Sequence, residues 1–108
     1  MIKFLVQGSA PDPYEVVFDK KGGNLTATCS CPAGLMGQYC KHRFRILAGN
    51  SEGIVSENIE DATTVQGWLA GSDVEMAIHN LGLAEAELDQ AKKKVGAAKK
   101  ALARAMPT

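Results

Sequence analysis

Long hydrophobic runs are missing from this 108-residue chain. No apolar stretch approaches the roughly 18 residues that a membrane-spanning helix requires, so a helical membrane protein is excluded and no membrane partner is expected. The apolar start, Met1 to Val6, is too short for a secretory leader and reads better as a strand, which points to an intracellular protein. Cysteine is scarce and odd in number, with three in all. That argues against a closed disulfide framework. Net charge is absent, because 12 Lys and Arg balance 12 Asp and Glu, whereas a dedicated nucleic-acid-binding domain is usually basic overall. One sign of charge is also missing locally. Residues 51–91 have no Lys or Arg, and residues 92–108 have no Asp or Glu. Only the first fifty residues mix the two signs, with six basic groups and three acidic ones. A chain this short allows one ordinary domain, or a small domain with an attached helical element. A small core usually needs a metal or an oligomer to persist.

What is present falls into three segments. In residues 1–50, Ile2–Val6 and Tyr14–Asp19 are rich in β-branched and aromatic residues and predict strands. Lys21-Gly22-Gly23-Asn24 predicts a hairpin turn, because the glycines supply positive φ. Residues 25–31 return as a strand that stops at Pro32, residues 33–39 predict a loop, and Cys40–Leu47 predicts a short helix ended by Gly49-Asn50. Residues 51–62 are acidic and weakly patterned, and read as a linker, with a short strand around Ile54-Val55 as the alternative. Residues 63–108 are helical. Val74, Leu81, Leu88, Val95 and Leu102 recur every seven residues, and Ala77, Ala84, Ala91, Ala98 and Ala105 follow each by three. That is an a/d heptad pattern. Gly82 and Gly96 each cost roughly 1 kcal/mol in a helix interior, yet the phase passes through both without a slip. One continuous helix over 73–106 is therefore expected, about 50 Å long, with a helix hairpin at Gly82 as its rival and Trp68-Leu69 in a separate short helix. The fold class is α+β: a metal-stapled β-hairpin and short helix, followed by a heptad-patterned C-terminal segment.

The chemistry sits in Cys29-Ser30-Cys31, eight intervening residues, and Cys40-Lys41-His42. Zinc favours four ligands in a tetrahedron, drawn from thiolate and imidazole. Cys29 and Cys31, two residues apart at a strand end, share one face. The loop between the pairs, PAGLMGQY, has two glycines and no charge, so it can fold over an ion. All three cysteines lie within twelve residues, which unrelated structural cysteines would not do. Four protein ligands close the site, whereas catalytic zinc keeps a position for water. No nearby Glu stands as a general base, so an enzyme is not expected. A thioredoxin-like redox pair is disfavoured, because one residue separates these cysteines, not two.

These residues carry a family resemblance. YEVVF, GGNLTATCSCPAG and GQYCKHRFRILAG, spanning residues 14–49, closely resemble the SWIM-type zinc finger, with its CxC and CxH ligand pairs on a hairpin followed by a helix. The resemblance implies one structural Zn2+ on Cys29, Cys31, Cys40 and His42. It also implies contact with DNA or with protein, without choosing between them.

Lys20 and Lys21 on the hairpin, and Lys41, Arg43 and Arg45 on the helix, are the candidate phosphate contacts, with Tyr39 and Phe44 available for base stacking. The plain alternative is a solvated helix face with Phe44 in the core. His79 has no Cys or His neighbour and reads as a polar surface residue. Two functions are carried forward. One is a non-catalytic DNA-binding module, forming a homodimer through residues 74–105. The other is a protein-interaction adaptor or inhibitor that uses the C-terminal helix, with zinc purely structural.

Overall fold

The computed structural model describes residues 1–107 as three strands and four helices. Strands β1 (Ile2–Val6), β2 (Tyr14–Lys21) and β3 (Asn24–Cys29) form an antiparallel sheet in the order β1-β2-β3. Lys21 pairs with Asn24 across the two-residue loop Gly22-Gly23, where Gly22 takes φ +60°, a conformation that glycine adopts without steric cost. Alternation sets one face of the sheet inward. Phe4, Val6, Val16, Phe18, Leu25 and Cys29 are buried, while Lys3, Glu15, Thr26 and Thr28 between them are exposed. Phe4 and Phe18 meet edge to face with ring centroids 6.0 Å apart, a favourable aromatic geometry.

Helix α1 (Pro32–Leu35) is a single turn, and α2 (Lys41–Leu47) and α3 (Asp61–Leu69) complete the compact part. Ile46 and Leu47 from α2, and Ala62 and Val65 from α3, are buried with the inward sheet residues. Gln66 Nε2 donates to the Ile46 carbonyl at 3.0 Å and ties the two helices. The first compact unit is Met1–Glu75. At its end, Asp73 binds the hairpin twice: its N–H donates to the Gly23 carbonyl and its Oδ1 accepts the Leu25 N–H, both at 3.0 Å.

Two expectations are revised. Residues 33–39 are not all loop, because Pro32 opens α1, where its fixed φ and missing N–H suit a first helical turn. The acidic stretch 51–62 is not a free connector. Gln7 N–H donates to the Gly53 carbonyl at 2.9 Å and Val55 N–H to the Leu5 carbonyl at 2.8 Å. Ser56 Oγ accepts the Leu5 N–H, and Asn58 Nδ2 donates to the Lys3 carbonyl. This segment satisfies the outer edge of β1, and Ile54, which bridges Val6, is buried. An uncovered strand edge invites pairing with other chains, and polar Ser56 and Asn58 close this one.

The second unit, Met76–Thr108, consists of the greater part of α4 (Asp73–Ala105). The helix is continuous through Gly82 and Gly96, so the hairpin alternative does not hold. None of its residues is buried. No helix among the described residues is long and apolar enough to cross a membrane.

The burial pattern sets an energetic contrast. Phe4→Ala removes a ring with no exposed surface and is expected to cost about 3–5 kcal/mol. Thr28→Ala on the opposite face is expected to cost under about 1 kcal/mol. Urea unfolding of the metal-loaded protein, followed by circular dichroism, measures both.

Candidate metal centre

Three elements converge on one point. Cys29 is the last residue of β3, Cys31 is the N-cap of α1, and Cys40 is the N-cap of α2 with His42 in its first turn. The backbone makes this convergence possible. Gly37 takes φ +69°, which turns the chain after α1 back towards Cys40. Gly34 lies so close to β3 that a Cβ there would come within 2.8 Å of the Cys29 Cβ. Only glycine fits that approach without moving the strand end.

The four ligand atoms all lie within 4.8 Å of one another. Cys31 Sγ and Cys40 Sγ are 3.3 Å apart, Cys40 Sγ is 3.5 Å from His42 Nδ1, and Cys29 Sγ is 3.8 Å from the same nitrogen. A tetrahedron with usual zinc–sulfur and zinc–nitrogen bonds has edges of about 3.6–3.8 Å, so these three edges are close to those around a single ion. The cysteines are buried and unbridged, and His42 is half-buried. Three thiolates and an imidazole, with no carboxylate among them, form the donor set that zinc takes in structural sites.

A second layer orients the donors. The Gly34 N–H donates to Cys31 Sγ at 3.2 Å, and the Cys31 N–H to Cys29 Sγ at 3.5 Å. Such bonds favour the charged sulfur. The Cys40 sulfur faces the other donors, 3.3 Å from Cys31 Sγ and 3.5 Å from His42 Nδ1. The His42 ring lies against Tyr14, with centroids 5.0 Å apart.

Without a cation the sulfurs cannot share one charge state. Burial pushes the Cys29 thiol up to about 12, reinforced by its sulfur neighbours against the lowering hydrogen bond from the Cys31 backbone. Burial also raises Cys40, but the Arg43 backbone N–H and hydrogen bonds from Cys31, His42 and Cys29 outweigh it and bring the group down to about 6. A dication favours the thiolate at every sulfur, so metal binding displaces whatever protons the cluster carries.

The five sequence-nominated cations are placed differently from one another. Lys21, Lys41 and Arg45 are exposed, and Lys20 is half-buried. Arg43 is engaged inside the module. Its Nη1 donates to the Ala27 carbonyl at 3.2 Å and its Nη2 to the Gln38 carbonyl at 2.6 Å, and its Nε is buried without a partner. The guanidinium braces α2 against β3 and the ligand loop. Tyr39 and Phe44 stack on each other at 4.9 Å with ring planes 13° apart, and Tyr39 remains 64% exposed. Sequence reasoning missed a cleft beside His42, of about 300 Å³, where Lys41 and Arg45 face Gln7, Ser9 and Glu52. Only the helical spacing of Lys41 and Arg45 hinted at it.

The SWIM zinc finger family model matches residues 4–47. The match adds β1 to the span of the sequence resemblance and ends with α2. No curated protein and no solved structure matches the chain. The family match and the convergent cluster together support one structural zinc ion.

Gly34→Ala is expected to destabilise the zinc-loaded module by about 1–3 kcal/mol, the usual cost of overpacking. It should also lower the zinc affinity measured by competition with a chromophoric chelator. Gly23→Ala, where an added Cβ meets nothing within 4 Å, should leave zinc affinity unchanged.

Proposed function

We propose that the SWIM zinc finger of residues 4–47 is a non-catalytic module that holds one Zn2+ on Cys29, Cys31, Cys40 and His42 and binds the phosphate backbone of DNA. The ion is structural, since four protein ligands leave no position for a reacting water. The single observation that carries the DNA reading is the cleft beside His42, where Lys41 and Arg45 stand one helical turn apart. Neither has an ion pair among the described residues. Unpaired, exposed cations at a concave site suit phosphate, which positions a nucleic acid without reading its sequence. Lys20 and Lys21 on the hairpin add charge to the same module. Tyr39, largely exposed on its stack with Phe44, offers a base a platform if the strand is single. Three cysteines given to a metal rather than to disulfides fit a reducing, intracellular compartment.

Residues 74–105 of α4 make the protein a homodimer in this reading. The second reading, a protein-binding adaptor or inhibitor, is favoured by that same helix, none of whose residues is buried, and by the zero net charge.

Fluorescence anisotropy of labelled DNA, titrated with zinc-loaded protein at several salt concentrations, separates the two. Phosphate engagement predicts a logarithmic affinity that falls linearly with log salt, by about 0.9 per duplex phosphate or about 0.7 per single-strand phosphate. Lys41→Ala with Arg45→Ala should reduce that slope by about two contacts. Absence of binding at low salt by folded, zinc-loaded protein would favour the adaptor.

A further inference from the structure

We infer that the partner of α4 is a second copy of the same helix, packed antiparallel about a two-fold axis between residues 89 and 90. This deepens the dimeric reading above and rests on it. From Met76 onward α4 is a long helix with no buried residue, although Leu81, Leu88, Val95 and Leu102 lie along one seam and are 40–62% exposed. Most helical stability in proteins comes from packing an apolar face, and here the seam has none within its own unit.

The seam itself selects the orientation. In an antiparallel coiled coil, each a position faces a d position of the other helix. Here that sets Leu102 against Ala77, Leu81 against Ala98, Val95 against Ala84, and Leu88 against Ala91, with every layer repeated by the symmetry. Each layer holds one large and one small side chain, so the interhelical distance is uniform along the pair. A parallel pair would alternate layers of two large residues with layers of two alanines and could not pack both at one separation. Gly82 and Gly96 both fall at the b position, off the seam, and nothing lies within 4 Å of where their Cβ atoms would be.

The flanking charges make the same choice. In that register Glu85 faces Lys92 of the other helix, and Glu87 faces Lys94, so two kinds of pair occur twice each. None of these four residues has an ion pair within its own chain among the described residues. The ion pair that α4 does form, Lys93 to Asp89 at 3.4 Å, lies on the outer face. A parallel pair would keep one attractive pairing, Glu87 with Lys92 of the other helix, and would bring Lys94 against Lys99, each at two sites. Like charges there destabilise, and they discriminate between orientations.

The test is a charge exchange in the full-length, zinc-loaded chain, with self-association measured by sedimentation from nanomolar to millimolar concentration. Glu85→Lys and Lys92→Glu alone should each weaken association roughly tenfold at low salt, because each turns two attractive contacts into repulsive ones. The double variant should return to within about twofold of the parent, because the exchanged charges face each other again. A dimer that the double variant fails to restore would overturn the antiparallel register while leaving the dimer itself standing. A monomeric mass across the whole range would overturn both, without bearing on the DNA titration.

Discussion

Three sulfurs and one imidazole nitrogen confined within 4.8 Å are the constraint on which the rest of this structure depends. The four donors come from the ends of three short elements, so the cluster fixes where β3 stops and where α1 and α2 start. None of those elements would hold its position alone. Helix α1 is one turn and α2 is two, far below the length at which a helix is stable in water. The buried core above them is a handful of residues led by Phe4, Phe18, Val16, Ile46 and Val65. A core that small is marginal, whereas structural zinc in finger peptides contributes an apparent ~10–16 kcal/mol. The close approach of Gly34 to Cys29, the N–H donors aimed at the sulfurs and the half-buried Arg43 all serve the same convergence.

Much of this was legible in the residues, for identifiable reasons. Strand alternation marked the inward faces of β1 and β2, because one side chain in two must be apolar when only one face is buried. The double glycine marked the hairpin. The CxC and CxH pairs marked the metal cluster, because their spacing suits few other uses. The heptad phase, unbroken through Gly82 and Gly96, marked one continuous helix. What stayed hidden depends on contacts between distant residues. Residues 51–58 carry no strong pattern because their task is done by backbone groups and by Ser56 and Asn58 against β1, and backbone hydrogen bonding leaves little trace in side-chain composition. Arg43 reads as a surface cation by type, and only the carbonyls of Ala27 and Gln38 show that it braces the module.

The division of charge along the chain follows from the same physics. In the metal module Lys41 and Arg45 stand exposed beside the cleft. In α4 the acidic and basic residues are sorted to opposite ends of the helix. Sorting of that kind suits the helix dipole, and it makes the helix complementary to a reversed copy of itself.

Residues 1–75 are expected to depend on the bound ion for their fold. The most direct measurement is a chelator titration of the full chain, in which zinc release and the amide correlation spectrum are followed in the same samples. The account predicts that the dispersed resonances of the β-sheet and of α2 and α3 disappear in step with zinc release and return when zinc is restored. A native, dispersed spectrum for those residues after complete removal of the metal would contradict it.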